Sequence, residues 1–415
     1  TLYTYTGLFM DLTLFFAEQQ KILRKISLKT KRYLYDQINW DNRCIAILGQ
    51  RGVGKTTLIL QALKEKYKNS EEALYISVDN PFFKAVSLYE FAIKFEQLGG
   101  KILFIDEVHK YKDWSSHIKS IYDSTELKIV FSGSSMLKIQ ALDADLSRRA
   151  IVYRLANLSF REYLALSSAG EFEPVSFDML VSSHMDIASY ISEKIKPLKH
   201  FADYLRFGCY PFINEGIDSY NQKLIAVVNQ IIESDIPYIE NINFSQIDKI
   251  KKLLYLLAVS APFVPNISKL SSATEISRVT MSDYLRYLEM ASLVNSISAD
   301  KKGYAKLQKP DKLYLYNTNL SFAISNTPDS GNARETFFVN QLKGYFYNNS
   351  SFLGNELLLA PSGDFLINEK YTIEVGGKNK GYEQIKDLPD SFIAADDIEI
   401  GFKNKIPLWC FGFLY

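Results

Sequence analysis

The segment Gly49-Gln50-Arg51-Gly52-Val53-Gly54-Lys55-Thr56 constrains this chain more than any other stretch. An apolar run at residues 43–48 predicts a strand before it, and the periodicity of residues 55–68 predicts a helix after it. GxxxxGK[ST] in that context requires an α/β sheet. Its glycines let successive backbone N–H groups turn toward phosphate oxygens, and the positive end of the helix dipole adds to them. Lys55 is then placed to bridge β and γ phosphates, the Thr56 hydroxyl to coordinate magnesium, and Thr57 to extend the binding segment Gly49, Gln50, Arg51, Gly52, Val53, Gly54, Lys55, Thr56. The bland alternative is a glycine turn without chemistry.

A metal site of this kind needs an acidic partner. Residues 101–107 supply one, an apolar strand ending in Asp106 and Glu107. Ligands of open α/β sheets collect at such strand ends. Asp106 is expected to anchor magnesium and Glu107 to polarise an attacking water, which favours hydrolysis over transfer to a small molecule. The competing reading is an acidic helix cap. Residues 128–131 form another strand running into Ser132-Gly133-Ser134-Ser135, and Ser134 is the candidate for sensing the γ-phosphate. Arg148 and Arg149 precede the next strand and are candidates for transition-state charge, against the alternative of solvated surface arginines. His109 reads as a capping or packing histidine.

At 415 residues the chain is long enough for two or three domains. Residues 37–158 alternate strand and helix patterns as a doubly wound α/β core, preceded by an extension and helix at 1–36. Residues 159–246 read as a helical lid. Residues 247–325 read as three helices and a two-stranded hairpin, the layout of a winged helix. The tail, 331–415, reads as a small α/β domain, with a helix at 335–347 and strands at 357–359, 364–367, 371–375, 398–402 and 408–413. A formal charge of +1 excludes a global field for nucleic acid or membrane, although a local patch can hide in a neutral total. The apolar runs fall far short of the roughly 20 residues a spanning helix needs, so no membrane partner is expected. Three scattered cysteines without a CxxC pair suit a reducing cytoplasm. Met10 is a candidate natural start.

Together, GQRGVGKTT, FIDEVHKYKDW, FSGSSML, SRRAIVYRLANLSFREYL and YLRFGCYPF resemble a large prokaryotic family of AAA+-like P-loop ATPases. The resemblance implies an additional-strand, catalytic-glutamate type of core using ATP and Mg2+, with Arg149 at the family's arginine position and Arg148 in place of its usual glycine. It also implies a winged helix and a tail that looks like the PD-(D/E)xK nuclease fold. Glu335, Asp364 and Glu374 fall where that fold's acidic residues would, and carboxylates on adjacent strands can hold a metal that activates water. Lys378 is displaced by two residues from the ExK position, which points to a degenerate nuclease site.

In residues 277–293, Arg278, Ser282 and Arg286 fall on one flank, as on a groove-reading helix. Lys301, Lys302, Lys306, Lys309 and Lys312 crowd the wing, where they would neutralise phosphates. From Gly331 onward acidic residues outnumber basic ones, which weakens the case for DNA there. The sequence therefore predicts a magnesium-dependent ATPase whose conformational cycle acts on or beside DNA. A slow nucleotide-dependent signalling switch with a protein partner is the alternative, and an ATP-regulated nuclease ranks third. The arginines leave room for an oligomer.

Overall fold

Five short apolar segments, β1 (Cys44–Gly49), β2 (Ala73–Ser77), β3 (Ile102–Asp106), β4 (Lys128–Ser134) and β5 (Ile151–Arg154), form one sheet in the order β2-β3-β4-β1-β5. β2, β3 and β4 run parallel, with Ser77 opposite Asp106 and Ile105 opposite Phe131. The computed structural model describes residues 12–67, 70–135, 146, 148–237, 242–260, 267–274, 276–299, 311–325, 329–349 and 357–415. Met10 and the wing lysines Lys301, Lys302, Lys306 and Lys309 lie outside them.

The chain divides into two units, and this sheet belongs to the first, made of Thr1–Leu48, Lys55–Gly133 and Leu137–Tyr153. Every residue of β1 and β3 is buried, as in a parallel sheet covered on both faces. Leu48, Ile76, Leu103, Ile105 and Phe131 pack in one cluster with Phe91 and Phe95 from the helix Leu88–Gln97 and Ile118 and Ile121 from the helix Trp114–Ser124. Each such side chain contributes about 1.5–3 kcal/mol by leaving water. The edge strand β2 is covered by Gln19 of the helix Thr13–Leu23: its amide donates to the Ala73 carbonyl at 3.2 Å and accepts from the Tyr75 N–H at 2.6 Å. Gln19 so satisfies ladder groups that an open edge would expose.

The second unit comprises Gly49–Gly54, Ser134–Met136 and Arg154–Tyr415. It begins with helices Phe160–Leu166, Phe177–Ser192, Pro197–Phe207 and Tyr220–Gln230, the last continued by a π-helical turn, Ile231–Asp235. A reciprocal cap starts the first: Ser159 accepts from the Glu162 N–H at 3.1 Å and the Glu162 carboxylate from the Ser159 N–H at 3.1 Å. Helices Phe244–Ser260, Ile267–Thr274 and Arg278–Met290 follow, then the antiparallel pair β6 (Val294–Ile297) and β7 (Lys312–Leu315).

After helices Thr318–Ser325 and Ser330–Asn349 comes a second sheet, in which the strands Lys405–Pro407, Ser391–Ala395, Tyr371–Gly376, Phe365–Ile367 and Leu357–Leu359 lie side by side in that order. β8 (Leu357–Leu359), β9 (Phe365–Ile367) and β10 (Tyr371–Gly376) make an antiparallel meander, while β10, β11 (Ser391–Ala395) and β12 (Lys405–Pro407) are parallel. Two tail strands expected from sequence differ here. Residues 398–402 carry only an isolated bridge from Phe402 to Lys405, and Leu408–Phe413 is a fully buried 3-10 helix. An all-apolar run buried on every side has no strand periodicity to distinguish it.

Candidate functional site

Asp106, the last residue of β3, is buried and gathers three hydroxyls within the first unit. The Thr56 Oγ1 donates to its Oδ2 at 2.7 Å, the Tyr75 hydroxyl donates to the same oxygen at 2.9 Å, and Ser132 donates to Oδ1. Thr56 and Lys55 open the helix Lys55–Lys66, with Lys55 buried and Thr57 exposed. Burial, then the neighbouring Asp106 charge, pushes the Tyr75 hydroxyl far up, so it stays a donor. A hydroxyl and a carboxylate side by side at a helix start are the oxygen donors a hard cation such as magnesium takes, so these residues fit that ion.

Glu107 follows with φ of 60°, a left-handed conformation unusual for a residue with a side chain. Its N–H donates to Ser132 Oγ at 3.2 Å, so one serine holds both acidic residues. Its carboxylate Oε2 lies 3.5 Å from His109 Nε2 and 3.6 Å from Lys110 Nζ, while Lys110 also pairs with Asp79. The serine of β4 that bonds Asp106 is Ser132, while Ser134, the candidate for sensing the γ-phosphate, is buried at the end of the same strand. The reason is register: Phe131 pairs with Ile105, which brings the next residue, Ser132, level with Asp106, where β3 ends. Arg149 is engaged by Asp123 of the helix Trp114–Ser124, its Nε and Nη2 each 2.8 Å from one carboxylate oxygen, and Arg148 is exposed.

The loop Gly49–Gly54 is surrounded by the second unit's own residues. Gly52 and Gly54 have φ of 84° and 97°, which glycine alone adopts without strain. A Cβ on Gly52 would meet the Phe212 ring at 3.3 Å, and one on Gly54 would meet Pro211 at 3.5 Å. Gln50, 2% exposed, donates to the Ser292 carbonyl at 2.7 Å and accepts from the Tyr210 hydroxyl at 2.8 Å and from Asn157 Nδ2 at 3.4 Å. Arg51 reaches Asp235 through Nε at 3.3 Å and Nη2 at 3.2 Å. The motif identifies these loop residues, yet nothing in the sequence pairs them with Asp235 or Ser292.

The tail's acidic residues do come together. The Asp364 carboxylate accepts the Val375 N–H at 2.8 Å, and burial first, then the charges of Glu335 and Glu374, push it up to about 6 against the pull of that N–H. Glu335 takes Lys312 Nζ at 2.5 Å and the Tyr314 hydroxyl at 2.7 Å. Buried Glu374 takes Lys380, not Lys378, which was the lysine expected. Gly376 explains the difference: a Cβ there would meet the Lys380 stem at 2.7 Å, so its absence lets that stem cross the strand to Glu374. The Lys378 carbonyl instead accepts from Lys405 Nζ at 3.1 Å. Lys312, expected to serve the wing, is committed to Glu335. Among the described residues no group of three or more acidic, histidine or cysteine side chains is arranged to hold a metal. The three cysteines are free and buried, and no helix among the described residues is long and apolar enough to cross a membrane.

The chain is 27% identical over 430 residues to the uncharacterized protein MJ1637 of Methanocaldococcus jannaschii, covering 94% of this chain and 89% of that one. AMPPCP-bound DnaA from Aquifex aeolicus aligns at 16% identity over 66% of this chain and 87% of its own, with a TM-score of 0.27. The Hsp104-ADP complex of S. cerevisiae aligns at 15% identity over 66% of this chain and 39% of its own, with a TM-score of 0.25. Residues 198–330 match a domain of unknown function (DUF8612). Residues 41–164 match the AAA domain, so the parallel sheet and its phosphate-loop motif form an AAA-type, P-loop ATPase-like domain.

Proposed function

We propose that the chain binds ATP with magnesium and hydrolyses it, driving a conformational cycle. The observation that carries this reading is Asp106 bonded to the Thr56 hydroxyl, with Glu107 beside it held by Ser132. Gly49, Gln50, Arg51, Gly52, Val53, Gly54 and Lys55 would cradle the phosphates, with Lys55 offsetting γ-phosphate charge. Thr56 and Asp106 would hold magnesium, whose chemistry is to neutralise the phosphates and align them for attack. Glu107 would orient the water and accept its proton, the His109 and Lys110 side chains keeping its carboxylate in place. Lys55→Ala should abolish nucleotide binding. Glu107→Gln should keep binding and lose phosphate release; release at the parental rate would remove Glu107 as the base.

The work driven by this cycle is proposed to lie on or beside DNA, through residues 247–325 as a winged helix. Three helices followed by an antiparallel pair support that layout. Phosphate release measured with and without duplex DNA tests it. No stimulation and no salt-sensitive binding would transfer the reading to a signalling switch with a protein partner. For the tail, the convergence of Glu335, Asp364 and Glu374 supports a nuclease-like site, and the lysines lodged on Glu335 and Glu374 support its being degenerate. Plasmid cleavage lost on Glu374→Ala would overturn that degeneracy.

A further inference from the structure

The segment Cys209-Tyr210-Pro211-Phe212 and the turn ending in Asp235 play no part in the chemistry above, yet both press on the phosphate loop. A loop with glycine at three of its six positions has little stiffness of its own. Its shape must be imposed from outside, and two side chains do this. Gln50 is clamped between the Ser292 carbonyl and the Tyr210 hydroxyl, and that hydroxyl accepts in turn from Asn317 Nδ2 at 2.9 Å. Asn317 Nδ2 also donates to Asn157 Oδ1 at 3.2 Å, so the clamp is a closed network with buried members throughout. Arg51 is held by the carboxylate of Asp235, which is 4% exposed.

We propose that Tyr210 and Asp235 are positioning residues that hold the phosphate loop in its nucleotide-binding shape through Gln50 and Arg51, coupling nucleotide affinity to the C-terminal half of the chain. The inference rests on the ATP reading above. Ser292 closes the helix Arg278–Met290, with φ of 57°, and Asp235 ends the π-helical turn, so a shift at either place reaches the loop through one side chain. Because binding free energies are reciprocal, nucleotide would bias those two places by the same factor with which they bias it.

Loosening an anchor lowers the fraction of loops in the competent shape, and apparent affinity falls by that fraction while turnover at saturation does not. The test is steady-state phosphate release over an ATP range, with titration of a fluorescent ATP analogue, on Tyr210→Phe, Asp235→Asn and the double variant. Each single change should raise KM and Kd about tenfold, and the pair about 100-fold, with kcat within about twofold. A merely structural role would lower the melting temperature and leave KM alone. Arg51→Lys, which keeps a cation for Asp235, should recover most of the affinity that Arg51→Gln loses. Unchanged KM in both single variants overturns the proposal. If Lys55→Ala also behaves as the parent, the ATP reading itself fails and takes the proposal with it. If Lys55→Ala abolishes binding while the anchors prove silent, the positioning role alone is lost.

Discussion

Ser132→Ala removes one oxygen from a fully buried position where it donates to Asp106 and accepts from the Glu107 N–H. A hydrogen bond to a charged group contributes about 1.5–3 kcal/mol, and a left-handed residue such as Glu107 carries about 1–3 kcal/mol of strain that its surroundings must hold in place. Without Ser132, the Glu107 backbone loses the acceptor for its N–H, and with it a restraint on the left-handed conformation from which its side chain projects. At 1.36 kcal/mol per factor of ten, that restraint corresponds to roughly a 10- to 100-fold fall in kcat. KM should stay within about threefold, because the lost contact acts on the acidic residues rather than on the phosphate loop. Steady-state phosphate release with excess magnesium measures both constants, and a melting curve shows whether the variant is folded. Ser134→Ala should have the smaller effect. A kcat for Ser132→Ala within twofold of the parent, or a larger loss from Ser134→Ala, would refute the assignment of β4.

In the tail, Lys380→Ala removes the ammonium from buried Glu374 and should cost about 1–3 kcal/mol in urea unfolding, whereas Lys378→Ala should cost almost nothing; equal costs would contradict the crossing over Gly376. Asp364, pushed from 3.8 to about 6, keeps its proton in the folded chain at pH values where the unfolded chain has released it. Its contribution to stability is therefore full below about pH 4 and is lost as pH rises to about 6, by at most about 3 kcal/mol at 1.36 per unit. Asp364→Asn should flatten unfolding free energy across that window, and an unchanged slope would show that burial is not the cause. Arg149→Ala should leave turnover within about threefold, since its guanidinium is engaged by Asp123. A 100-fold loss recovered by mixing with Glu107→Gln would instead place the arginine at a neighbouring subunit's site.

The first sheet and its acidic cluster were legible because each carries a local signal. Strand, glycine loop and helix follow one another in 49–56, and Asp106 with Glu107 ends an apolar run. The bond from Ser132 to Asp106 is not legible there, because it depends on the pairing of β4 with β3, which no single segment reveals. Lys380 escaped for a related reason: the ExK spacing assumes a lysine on the strand, whereas here the stem crosses over Gly376 from the following turn. β11 and β12 are short, and their parallel pairing is nonlocal. Gln19 on the edge of β2 looks like any surface glutamine on a helix until Ala73 and Tyr75 are seen against it.

The place of β4 between β1 and β3 has a consequence for how this protein tolerates change. Side chains alternate faces along a strand, so a single residue inserted or deleted early in β4 would turn Ser132 away from Asp106 and present its neighbour instead. Such an indel would touch no residue of the phosphate loop or of the acidic pair, yet it would act as an active-site lesion. On this account the start of β4, rather than the turn that precedes it, is where a change of length would be as damaging as loss of Glu107.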